Sequence, residues 1–184
     1  MKKVILIAIP ILVLGGCATA RRPAAMTALA PIGSSTAQGT VHLQELKDGG
    51  VEVKVDLTGV PPGVHGFHIH EFGNCADNGN AAGGHFNPAS MPHSSPDAAS
   101  HHAGDFGNVT AGANGEVHTS FISRSITVSP GQNSAVGKAI ILHANPDDLE
   151  TQPTGNAGGR IACGVLSLHE MGPSAISLHG LETK

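Results

Sequence analysis

The chain has 184 residues, enough for one domain of ordinary size and hardly for two. With 25 Gly, 12 Pro, no Trp and no Tyr, its interior has to be built from Val, Ile, Leu, Ala and five Phe, which suits a turn-rich fold. A formal net charge of -4 argues against nucleic acid as a partner, while 12 His against 10 Lys and Arg together point to metal binding or proton handling.

The chain opens MKK followed by VILIAIPILVL, a charged cap on eleven apolar residues. That run is too short to span a bilayer and suits the core of a signal peptide, so residues 1–16 are expected to be a leader and the protein to be exported. LGGC at 14–17 is similar to a bacterial lipobox, which predicts a lipid anchor on Cys17 and a membrane as partner; Ala18 after it matches sorting to the outer membrane. Removing the leader takes away Lys2 and Lys3 and leaves 8 basic against 14 acidic side chains. Residues 17–23, CATARRP, read as a short tether, since they carry no hydrophobic period and end in Pro.

Strand-like runs bounded by turn residues follow from Ala24: AAMTALAPI, GTVHLQEL, a turn at 47–50, VEVKVDLTGV and VHGFHIHEF. Val51, Val53, Val55 and Leu57 alternate with Glu52, Lys54 and Asp56, a period of two that puts one face in a core and the other in water. Further strands are predicted at GEVHTSFIS, SITVS, AVGKAIILHA and GRIACGVLSL, eight in all with no helical period. The expected class is all-β, a sandwich or flattened barrel. Two segments break the rhythm, 73–108 and 144–159, and loops of that length without structure of their own are usually functional. Residues 169–184 read as a tail.

In FHIH, His68 and His70 project from one face of a strand while Phe67 and Ile69 face the core. Alone, such a pair fits a solvated polar face as well as a metal site. The first long segment adds His85, His93, His102 and Asp105, three imidazoles and a carboxylate of the kind zinc accepts, spaced by Gly, Pro and Ser that let a loop wrap an ion. His143 is a candidate fourth partner for the FHIH pair, and an all-imidazole set suits copper better than a hard cation.

GFHIHEFGNC, GGHFNP, HAGDFGNVT and TGNAGGRIACGV, in this order, resemble the signatures of the copper-zinc superoxide dismutase family, over roughly residues 24–168. The resemblance implies a Greek-key fold, a copper held by His68, His70, His85 and His143, and a zinc held by His85, His93, His102 and Asp105. His85 would be shared as an imidazolate and would store a proton during turnover. Asp147 matches the aspartate that links His68 to His93, and Arg160 matches the arginine that attracts the anionic substrate, superoxide. Cys75 and Cys163, in an exported chain whose third cysteine is Cys17, are expected to form a disulfide, as in the family. Family members include dimers and monomers, so a homodimer is among the assemblies implied.

The resemblance also leaves an alternative to catalysis, a dismutase-like lipoprotein that binds or delivers copper or zinc without turnover. Residues 144–159 contain Asp147, Asp148 and Glu150 but no Lys or Arg, so attraction of an anion is expected to rest on Arg160 and the metals, with Lys138 a candidate helper. His65 is expected to make a structural hydrogen bond. His101 competes with His102 as a zinc ligand on sequence, and His42, His118, His169 and His179 are expected to be exposed polar residues.

Overall fold

The computed structural model describes residues 22–169, so the expected leader, Cys17 with most of the tether, and the tail from Glu170 lie outside the described residues. Nine antiparallel strands make up the described chain: β1 (Ala24–Pro31), β2 (Gln38–Glu45), β3 (Val51–Thr58), β4 (Gly63–His70), β5 (Asp105–Ala111), β6 (Val117–Ser123), β7 (Ala139–His143), β8 (Arg160–Val165) and β9 (Ser167–Leu168). Eight of them form one path, β5-β4-β7-β8-β1-β2-β3-β6, and β9 pairs with β1. The result is a nearly closed Greek-key barrel. Its two end strands meet through side chains, the rings of Phe106 and Phe121 lying edge to face with centroids 5.2 Å apart.

Period two decides which residues fill the barrel. Val51, Val53, Val55 and Leu57 are all buried while Glu52 and Lys54 are exposed, as the alternation requires. On β4 and β7 the rule gives way: Val64 aside, β4 from His65 onward and all of β7 are buried on both faces. Phe67 and Ile69 enter the core, whereas His68 and His70 are covered by the long loops, so the FHIH face is not a solvated one.

Three local expectations need correction. Residues 105–108, expected at the end of the first long loop, instead open strand β5, whose ladder with β4 shifts register between Gly66 and His68. SITVS is not a strand: Ile126 and Val128 are buried as a strand face would be, but the N–H groups of Val128 and Ser129 donate to the Glu45 carboxylate rather than to a ladder. GRIACGVLSL breaks at Leu166 into β8, which pairs with β7, and β9, which pairs with β1. The second long loop lies as expected, between β7 and β8.

Cys75, in the first loop, is bonded to Cys163 on β8, with Cα atoms 5.8 Å apart. Cys163 belongs to a small apolar cluster with Ala82, Ala139 and Ile141, so the bond fastens the loop against β8 and its neighbour β7, which bears His143. Cross-linking positions 88 residues apart restricts the unfolded chain and stabilises the fold by about 4–5 kcal/mol in the chain-entropy account.

Candidate metal centre

Antiparallel pairing of β4 with β7 and of β7 with β8 brings His68, His70, His143 and Arg160 to one end of the barrel. His70 lies opposite Ala139, His68 opposite Ile141, and His143 opposite Arg160 after a register shift at Leu142. The first loop folds back so that His85 bridges to His70. Two groups of four result, His68, His70, His85 and His143, and His85, His93, His102 and Asp105, in each of which one potential ligand atom per residue lies within 4.8 Å of the others. All seven side chains are buried, and His85 belongs to both groups.

Hydrogen bonds decide which nitrogen each ring keeps free, because a neutral imidazole has one N–H and one lone pair. His68 is held through Nε2 by Asp147 Oδ2 at 2.7 Å, leaving Nδ1 without a partner. His70 donates Nδ1–H to the Gly83 carbonyl at 2.9 Å, and His143 donates Nδ1–H to the Gly158 carbonyl at 3.2 Å. Their Nε2 atoms are thereby turned to one point, 3.3 Å apart. His85 has Nδ1 at 2.7 Å from Asp105 Oδ1, and its Nε2 is buried without a partner. Asp105 Oδ1 also lies 3.0 Å from His93 Nδ1 and 3.2 Å from His102 Nδ1. His101 is turned away, donating Nδ1–H to the His102 carbonyl and facing the Ser125 hydroxyl, and of the two it is His102 that joins the cluster.

Asp147 joins the two groups. Its other oxygen, Oδ1, is 3.0 Å from His93 Nε2 and accepts the Leu149 N–H. Two residues that the sequence did not single out hold this arrangement. Asn108 on β5 accepts the Asp147 N–H at 2.7 Å and donates to the Asp147 carbonyl at 2.9 Å. Gln152 does the same for His93, accepting its N–H at 2.8 Å and donating to its carbonyl at 2.7 Å. Both clamps join residues distant in the chain, and neither amide has a local signature. Gly155, with φ near 67°, permits the close approach beneath them, since a Cβ there would collide with Asp147 Oδ1 and His93 Nε2. His65 is structural as expected, its Nδ1 and Nε2 each 2.8 Å from the carbonyls of His143 and Pro61.

Arg160 is half-buried, its guanidinium donating to the carbonyls of Gly79 and Gly83 beside the all-histidine group, and no carboxylate among the described residues neutralises its charge. Lys138 does not reinforce it: its ammonium is 2.9 Å from the Glu71 carboxylate and caps the Phe86 ring.

A family model of copper/zinc superoxide dismutase (SODC) matches residues 37–166. The chain belongs to the copper/zinc superoxide dismutase family. Among solved structures it is similar to one titled "Crystal Structure Analysis of the clock protein EA4", at 35% identity over 80% of this chain and 96% of that one, with a TM-score of 0.72. Within this dismutase-family fold the histidine groups are metal-binding clusters, and copper and zinc are the metals typical of the family.

Burial dominates the electrostatics of the clusters. It pushes His68 and His70 well below the free imidazole value of 6.5, lowers His102, and takes His143 down to about 4. Burial would raise the Asp105 carboxyl, but hydrogen bonds from His85 and the His102 N–H outweigh it and hold the group well below the usual carboxylate range. In the metal-free protein His68, His70 and His143 are therefore neutral where an unfolded chain is already taking up protons. Between pH 6.5 and about 4, where His143 titrates, the unfolded state binds more protons and stability falls with falling pH. Denaturant unfolding of metal-free protein is expected to show a midpoint that drops steadily over this window; a flat midpoint would contradict burial of the neutral rings.

Proposed function

We propose that the chain is a superoxide dismutase, exported and lipid-anchored on the periplasmic side of a bacterial membrane. The supporting observation is the set of buried ring nitrogens without partners, His68 Nδ1, His85 Nε2 and His102 Nδ1, each in a cluster where the neighbouring donors face the same point. An orphaned buried polar atom costs roughly 1–3 kcal/mol, and a cation removes that cost for several rings together. The donor sets fit two different ions. Four imidazoles suit copper, and three imidazoles with one carboxylate suit zinc.

His68 Nδ1, His70 Nε2, His143 Nε2 and His85 Nε2 would hold the copper, and Asp105 with the Nδ1 atoms of His85, His93 and His102 would hold the zinc. Copper supplies one-electron chemistry through its two oxidation states, by which two superoxide anions and two protons become one dioxygen and one hydrogen peroxide. His85 Nε2 is the atom at which this chain holds a proton and gives it up, since the ring is fixed at Nδ1 by the Asp105 cluster and its other nitrogen faces the copper ligands. Arg160 attracts and orients the anion beside them, its fork held flat by two carbonyls. Asp147 fixes the tautomer of His68 and the orientation of His93 together. The completeness of the copper set and the retention of Arg160 favour turnover over mere delivery of metal. The short apolar leader followed by LGGC supports the anchor on Cys17.

Three results would test the reading on purified, metal-loaded protein. His143→Ala should reduce superoxide dismutation at least about 100-fold while zinc content stays at one equivalent; loss of zinc in equal measure would contradict the division of ligands. Arg160→Glu should slow dismutation by about tenfold or more and flatten or invert its salt dependence, because screening then weakens repulsion instead of attraction. In cells, incorporation of labelled fatty acid should vanish in Cys17→Ser, and persistence of the label would refute the anchor.

A further inference from the structure

Eleven of the 12 histidines lie among the described residues, and nine of these have a ring nitrogen engaged by a hydrogen bond or by a metal-cluster neighbour. The other two are His42 and His169. Neither ring makes a hydrogen bond to a described residue, both are half-buried, and the two meet edge to face with centroids 6.4 Å apart. That spacing is one found inside the metal clusters, where His68 and His70 are 6.3 Å apart and His85 and His143 are 6.5 Å apart.

The ladder explains how two residues 127 positions apart come together. His42 lies on the outward face of β2, opposite Met26 of β1, and Met26 in turn lies opposite Ser167 of β9. Two residues beyond Ser167, the His169 N–H donates to the Ala24 carbonyl at 2.8 Å, which places His169 on the same face beside Met26. Ala24 has no side chain long enough to separate the rings. Met26 is directly opposed to His42, a pairing with Cβ atoms about 5 Å apart, and diagonal to His169 at about 7–8 Å, so the half-buried Met26 has a thioether long enough to reach both imidazoles.

We propose that His42, His169 and Met26 form a third metal site, on the outer wall of the barrel, which takes monovalent copper. The thioether is a soft donor and imidazole is borderline, and three such donors suit the low coordination number of Cu(I), whereas zinc asks for four ligands. Lys54 stands on the other side of His42 in the ladder, and its ammonium is paired with the Asp56 carboxylate at 3.3 Å. The site requires nothing of the dismutase reading, since its donors share no residue with the two clusters.

The test uses the full mature chain with copper and zinc already bound, titrated with Cu(I) under anaerobic reducing conditions against a colorimetric Cu(I) chelator. The wild type is expected to take one further equivalent from the chelator, His42→Gln and His169→Gln each to lose it, and Met26→Leu to weaken it about tenfold or more. X-ray absorption of the additional copper should show a sulfur neighbour that disappears in Met26→Leu. His179→Ala should leave the equivalent in place. A wild type that takes no further copper, a further equivalent that survives in the His42→Gln/His169→Gln double variant, or its loss in His179→Ala would overturn the assignment.

Discussion

Everything at the metal end of this protein follows from the burial of seven ligand side chains whose inward-facing atoms do not satisfy one another. Imidazoles turned toward a common point cannot all be donors, and burial keeps His68, His70 and His143 from charging. The fold therefore carries a cluster that is unfavourable by itself and becomes favourable when cations fill it. The surrounding chain is arranged to prevent the simplest escape, which is for the rings to rotate outward and find water.

The two halves of the cluster are restrained by different means. On the all-histidine side, His68, His70 and His143 sit on strands buried on both faces, so the ladder itself fixes their directions. On the other side, His93 and His102 come from irregular backbone, and the rigidity is supplied by amides and carboxylates: Gln152 on the His93 backbone, Asp105 Oδ2 accepting the N–H groups of Ser94 and His102, and Asn108 holding Asp147. A set of polar clamps, every one satisfied, does for the loop what cross-strand pairing does for the sheet. The disulfide then fastens the same loop to β8.

Much of this was legible before any coordinates. Alternation at 51–57 set the register of β3, and the spacing of His85, His93, His102 and Asp105 marked one ligand group. The features that escaped share a cause. DFGNVTA carries Gly107 and Asn108, residues that weaken any strand signal, yet pairing with β4 overrides local preference there. SITVS has the apolar period of a strand but finds its hydrogen bonds at Glu45, a partner more than eighty residues away. The helping role given to Lys138 failed because Glu71, which neutralises it, is adjacent only in three dimensions. Chemistry borne by residue type and spacing is readable along a chain, whereas pairing across the fold is not.

One carbonyl oxygen, that of Gly83, receives both the His70 Nδ1–H and the Arg160 guanidinium. The pose of a ligand ring and the reach of the cation are in this way referenced to a single point of the backbone. Shifting that point to bring the guanidinium nearer an incoming anion would also swing the ring, so the two properties cannot be optimised separately in this scaffold. Variation in how strongly such a protein draws charged molecules has to come instead from the rim, where side chains can change without disturbing that shared reference.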